Sequence, residues 1–190
     1  MKEEISRRNR AILILIILII TMLILSQMNW FWRLIYPLKY KDIIITNAEE
    51  YKIDPALVAA MIYVESKYIA SARSHRDARG LMQIMPVTGV WIAEQMGISG
   101  FNDEMLYDPV INIMFGCWYI SNLNQQFNEQ LLVVLAAYNA GRGNVKKWLE
   151  SNNWDGMDAS LDDLPFEETK NYIKQVVAVY ARYKKIYNFE

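Results

Sequence analysis

Residues 11–25 form an apolar run broken only by Thr21, AILILIILIITMLIL. A helix that is apolar all round belongs inside a large core or a bilayer, not on the face of a small domain. Counted on through Ser26, Gln27 and Met28, the run reaches the about 17–25 residues a membrane-crossing helix needs. Trp30, Phe31, Trp32 and Tyr36 follow it, as an interfacial aromatic belt would. Lys2, Arg7, Arg8 and Arg10 precede it, a bias that keeps the N-terminus inside and sends the rest outside; Arg33, Lys39 and Lys41 weaken that bias. No small-x-small cleavage signal and no lipid-accepting cysteine follows the run, so it reads as an uncleaved anchor. The expected division is a cytoplasmic N-terminus (1–10), a transmembrane signal-anchor (11–29), a juxtamembrane connector (30–41) and one domain (42–190).

Charge divides at the same place. Residues 1–39 hold six Lys/Arg against two Glu, whereas residues 40–190 hold 14 Lys/Arg against 19 Asp/Glu, a net charge of −5. An acidic domain argues against nucleic acid as its partner. The single cysteine, Cys117, excludes an internal disulfide and sits in an apolar helical run, where a buried inert thiol is expected. The single histidine, His75, with no Cys/His cluster, argues against a structural zinc site. The sequence holds no repeats and no low-complexity tracts.

The domain's chemistry centres on residues 54–86. Asp54-Pro55 is a helix start, with Asp capping free amides and Pro fitting the first helical position. Val58, Met61, Ile62 and Glu65 then share one face by three-and-four spacing. Glu65 therefore continues an apolar stripe. Burial there would disfavour its charged form and raise its pKa, giving a proton-bearing acid near neutral pH. The bland alternative is a helix-end glutamate that reaches water. Residues 69–79 read as a polar, basic loop, in which Asp77 beside Arg76 and Arg79 fits a solvated ion pair better than a second acid. Gly80-Leu81-Met82-Gln83-Ile84-Met85-Pro86 follows, with Gly80 permitting close backbone approach and the Gln83 amide able both to donate and to accept.

Further helices are expected at 87–96, stopped by Gly97, at 110–123 after a second Asp-Pro start, at 130–140 before Gly141, at 144–152, and at 165–187. The helix over 110–123 reads as core and receives no chemistry. Residues 153–163 read as an acidic loop.

Four motifs occur in order: Glu65-Ser66; Gly80-Leu81-Met82-Gln83-Ile84-Met85-Pro86; Ala137-Tyr138-Asn139-Ala140-Gly141; and Leu164-Pro165-Phe166-Glu167-Glu168-Thr169-Lys170-Asn171-Tyr172. Together they resemble the catalytic domain of soluble lytic transglycosylases, relatives of goose-type lysozyme, over about residues 43–187. The chain departs from that pattern at Ala70 and His75, where proline is usual, and at Asp77, where glycine is usual. If the backbone at 77 needs positive φ, Asp tolerates it better than most residues.

The resemblance implies a mostly α, lysozyme-like fold of the α+β lysozyme superfamily, with about seven or eight helices and little strand near 70–84. It implies cleavage of peptidoglycan between N-acetylmuramic acid and N-acetylglucosamine, with Glu65 first an acid and then a base on the muramic C6 hydroxyl, closing a 1,6-anhydro ring. It places Ser66, Ser74, Met82, Gln83, Tyr138, Asn139, Glu168 and Tyr172 along the substrate groove, and implies no metal or cofactor. The implied setting is a bacterial membrane, single-pass, with the domain on the extracytoplasmic side. Two alternatives stand beside it. One is a hydrolytic muramidase of the same fold, which needs a second carboxylate such as Asp77 or Glu168. The other is a non-catalytic peptidoglycan-binding module.

Overall fold

The computed structural model describes residues 2–26, 29–151 and 153–189. The chain divides into two compact units at Leu38/Lys39.

The first unit holds α1 (Lys2–Ser26) and α2 (Asn29–Ile35). The apolar side chains from Ile12 to Ile24 stand largely exposed on α1. In and after α2, Trp30, Phe31, Trp32 and Tyr36 form a chain of ring contacts 5.6–6.4 Å between centroids. Among the described residues no single helix is long and apolar enough to cross a membrane. Ile12–Leu25 and Asn29–Ile35 pass that test only together, as a pair bent by 85°. Ile12–Leu25 alone rises roughly 21 Å at 1.5 Å per residue, short of a hydrocarbon core of about 30 Å. Gln27 and Met28, which the expected span includes, lie outside the described residues, as does Asn152, the expected end of a domain helix.

Within the second unit the described residues form seven α-helices: α3 (Lys41–Glu50), α4 (Pro55–Ser66), α5 (Pro86–Met96), α6 (Pro109–Gln126), α7 (Leu131–Ala140), α8 (Arg142–Glu150) and α9 (Glu167–Ile186). Short 3₁₀ turns lie at Asp103–Tyr107 and, inside the expected acidic loop, at Asp158–Asp163. The only pairing near residues 70–84 is two antiparallel bridges, Arg73 to Arg79 and Arg79 to Ile84.

Both Asp-Pro starts cap as expected. Asp54 accepts from the Ala56 amide at 2.8 Å, and Asp108 accepts from Val110 and Ile111 at 2.8 and 3.1 Å. The second Asp54 oxygen accepts from the Tyr180 hydroxyl at 2.5 Å, tying the head of α4 to α9. These two helices make the largest contact in the domain. Residues 56–62 of α4 are all buried. At about 1.5–3 kcal/mol for each large apolar side chain removed from water, α4 anchors the core and fixes where its last turn, bearing Glu65, emerges. The helix stops at two successive left-handed residues, Lys67 (φ 52°) and Tyr68 (φ 63°).

What holds residues 79–84 is a side chain of α6. Asn112 is fully buried. Its carbonyl oxygen accepts from the Met82 amide at 2.7 Å, and its nitrogen donates to the carbonyls of Arg79 (3.0 Å) and Leu106 (2.7 Å). Gly80 takes φ +77°, and a Cβ there would sit 2.1 Å from the Leu106 carbonyl oxygen and 2.3 Å from the Asn112 nitrogen. Only glycine fits between the loop and this amide.

Replacing Asn112 by Ala would strand the Met82 amide and the Leu106 carbonyl, each costing about 1–3 kcal/mol, while the Arg79 carbonyl keeps the Ile84 amide. Asn112→Ala is therefore expected to destabilise the domain by about 2 kcal/mol or more in denaturant unfolding. A loss below ~1 kcal/mol would mean that the clamp is dispensable.

Candidate active site

Glu65 occupies the last turn of α4 and is partly buried. Desolvation is the largest influence on its carboxyl and raises its pKa from 4.5 to about 7. The Tyr172 hydroxyl opposes this by favouring the charged form, and the Glu168 carboxylate adds to it by repulsion. The apolar stripe read from sequence thus delivers a half-protonated acid at neutral pH rather than a solvated one.

Two tyrosines surround that acid. Tyr138, near the end of α7, and Tyr172, on the first turns of α9, both have their pKa pushed well up, by burial first and by the Glu65 charge second. Both stay protonated as donors. Tyr138 donates to the Met82 carbonyl at 2.9 Å, bolting α7 to the loop that Asn112 holds. Tyr172 is 7% exposed, and its hydroxyl is the one buried side-chain polar atom among the described residues that completes no standard hydrogen bond. It is near enough to Glu65 to lower that carboxyl's pKa. Asn139 accepts from the buried Thr169 hydroxyl at 2.8 Å, joining the end of α7 to the start of α9.

Glu168 is well exposed and faces Arg76 of the 69–79 loop at 3.4 Å. That loop is fixed by an ion cluster. Asp77 takes φ +68°. It accepts from Arg73 and from two nitrogens of Arg79 at 3.1 Å, while Arg79 also donates to Glu104 at 2.9 Å. Hydrogen bonds from Arg79, then from Arg73, hold the Asp77 carboxyl below its ordinary range. Asp77 is ion-paired, with Arg79 as expected but with Arg73 in place of Arg76, and Arg79 is buried beneath it.

Four expected groove residues make contacts within the protein. Met82 is fully buried, its thioether filling the space that Gly116 leaves on α6. Ser66 is buried and donates back to the Ile62 carbonyl at 3.1 Å, the usual local bond of a helical serine. The Gln83 nitrogen donates to the carbonyls of Gly80 (2.9 Å) and Ala72 (3.3 Å), bonding the backbone of its own loop. Ser74 accepts from the Arg76 and Ala78 amides at 3.2 and 3.0 Å, shaping the loop. Gln83 still borders a cavity of about 240 Å³ together with Met85, Thr88, Tyr119, Tyr138 and Asn139. Met85, Thr88 and Tyr119 received no site role from sequence, nor did Asn112. A lone amide inside the apolar run of α6 was the available signal for Asn112.

Residues 42–160 match the family model for the transglycosylase SLT domain. The chain belongs to that family. It is 35% identical over 152 residues to the soluble lytic murein transglycosylase of Escherichia coli K12, covering 78% of this chain and 23% of that protein. It is 29% identical over 170 residues to the membrane-bound lytic murein transglycosylase C of Actinobacillus pleuropneumoniae, covering 78% and 46%. The crystal structure of the 70-kDa soluble lytic transglycosylase of E. coli superposes with a TM-score of 0.74 at 34% identity, over 79% of this chain and 25% of that one. The chain therefore spans less than half the length of these relatives, and the mostly helical lysozyme-like fold is shared with the solved one.

The Glu65 environment fixes the sign of its pH dependence. Between pH 4.5 and about 7 the folded domain keeps a proton that the unfolded chain has released. Stability is then highest below about pH 4.5 as far as Glu65 is concerned, and falls as pH rises to about 7. Glu65→Gln is expected to flatten that slope. Carboxyl-carbon NMR should show the Glu65 midpoint moving up in Tyr172→Phe and down in Glu168→Gln. Unmoved midpoints would remove both residues from its environment.

Proposed function

We propose that this chain is a peptidoglycan lytic transglycosylase in which Glu65 is the single acid–base group. The observation that carries this reading is the Glu65 carboxyl itself, partly buried and raised to about 7, so that both protonation states are populated near neutral pH. One residue can then serve both steps. Protonated Glu65 gives its proton to the bridging oxygen between N-acetylmuramic acid and N-acetylglucosamine, and the bond from that oxygen to muramic C1 breaks. The 2-acetamido group assists at C1. The resulting Glu65 carboxylate takes the proton of the muramic C6 hydroxyl as its oxygen bonds to C1. The product is a 1,6-anhydro ring, Glu65 regains its proton, and no water is consumed.

The muramidase alternative needs a second carboxylate placed for water or for nucleophilic attack. Asp77 is bound on both oxygens by arginine, and Glu168 is exposed and paired with Arg76. Neither is offered to a sugar carbon, which favours the intramolecular route. Tyr138, Tyr172 and Asn139, with the Gln83 carbonyl side, are assigned to the sugars flanking the cut. Glu168 is assigned to the rim of the groove.

The N-terminal unit is assigned as the anchor of a single-pass protein of the bacterial cell membrane, with the domain on the extracytoplasmic side. The apolar run of residues 11–25, the basic residues before it and the aromatic group on α2 support that assignment. The glycan strand of the wall is the partner.

The test is mass spectrometry of purified peptidoglycan digested by the full chain in detergent. Muropeptides lighter by one water, with no reducing muramic end, are expected. Glu65→Gln should lower their rate by about 100- to 10,000-fold, the usual share of general acid–base catalysis. Reducing ends would overturn the intramolecular route, and unchanged activity in Glu65→Gln would remove Glu65 from the chemistry.

A further inference from the structure

Another cavity of the domain has no lining residue in common with the one beside Tyr138. It measures about 400 Å³ and is walled by Glu50, Tyr51 and Lys52 at the end of α3 and by Trp118, Ser121, Asn122 and Gln125 of α6. The four α6 residues follow each other at spacings of three, one and three, so one helix face presents an indole followed by a hydroxyl and two amides. The Asn122 oxygen accepts from Gln126, which orients its amide with the nitrogen as donor. An aromatic face beside short polar side chains matches an amino sugar. Its ring C–H surface lies on an indole, and its hydroxyl and acetamido groups need both donors and acceptors.

This cavity connects to the candidate active site through rings. Tyr138 lies 5.5 Å from Tyr119, which borders the cavity beside Glu65. Trp91 of α5 stands edge-on to Tyr119 at 6.1 Å and to Trp118 at 5.3 Å. Arg142, the first residue of α8, lays its guanidinium over Trp91 at 4.4 Å. Trp91, Trp118 and Tyr119 are each only partly buried. Core packing accounts for their mutual contacts. It does not account for an aromatic surface left partly open along its length and ending in a polar cavity.

We propose that Trp91 and Trp118 form a track that carries the glycan strand from the Tyr138 side of the candidate active site into a distal sugar-binding site at Trp118, Asn122 and Gln125. The proposal rests on the reading of the Glu65 groove as glycan-cleaving and extends it to sugars remote from the cut. A short oligomer reaches only the groove. A long one also reaches Trp118, and gains affinity from it.

The test separates the two readings by measuring binding and cleavage independently. Calorimetry on the full chain in detergent, in the Glu65→Gln background, compares a short and a long undecorated β-1,4 oligomer of N-acetylglucosamine. The long oligomer should bind more tightly. Trp118→Ala should weaken it about tenfold, the loss of one stacked ring, and leave the short one unchanged. Trp118→Phe should retain most of the difference, which guards against a folding defect. Equal affinities for the two lengths, or an equal loss for both in Trp118→Ala, would overturn the track. Failure of the Glu65-intact chain to cleave peptidoglycan, with length-dependent binding preserved, would overturn the catalytic reading and leave the track standing as a binding site.

Discussion

One buried amide sets the geometry on which the rest depends. Asn112 bonds three backbone groups from two separate segments, residues 79–82 and Leu106, and does so inside the apolar first half of α6. Left without it, those groups would oppose burial of the loop. With it, the loop packs against α6 so closely that Gly80 admits no Cβ and Met82 fills the notch at Gly116. The Met82 carbonyl then stands where Tyr138 can donate to it, and α7 is held by the same loop. The wall beside Glu65 is thus assembled from the core outward, and its precision is inherited from α6.

That wall decides the electrostatics. A carboxyl at a helix end is ordinarily solvated and ionised at neutral pH. Here desolvation wins over the hydroxyl of Tyr172, with Glu168 adding repulsion, so the balance falls near neutrality. The interaction with the Tyr172 hydroxyl limits the rise. A tight bond to the carboxylate would pull the pKa back down.

Much of the fold was legible because its signals are local. The two Asp-Pro starts, Gly97 and Gly141 mark helix boundaries within one turn of chain, and the Val58–Met61–Ile62–Glu65 face needs only a period of 3.6. The candidate site was legible where a residue type carries its role, as with Glu65. It was not legible where burial is decided at long range. Met82 is apolar and borders a polar turn, which fits a groove contact as well as a core residue; Gly116, far along the chain, decides for the core. Gln83 has a versatile amide, and its use depends on where the Ala72 and Gly80 carbonyls fold. Asn112 could not be read at all from periodicity, since its partners lie 30 and 33 residues away.

The 69–79 loop shows how the family's geometry survives different residues. Two usual prolines and a glycine are absent here, so the chain lacks the stiffness and the free positive φ that they supply. Asp77 adopts φ +68° nonetheless, a conformation Asp reaches more readily than most side chains. Its carboxylate, turned toward Arg73 and Arg79, converts that strained residue into the centre of an ion cluster. Arg79 extends the cluster to Glu104, and its guanidinium lies 5.7 Å from the Tyr107 ring. Exposed pairs alone contribute little. Arg79 is buried, however, and its backbone is one of the groups that Asn112 clamps. The ion cluster and the amide clamp therefore converge on one residue. The loop that faces Glu168 is held by charge.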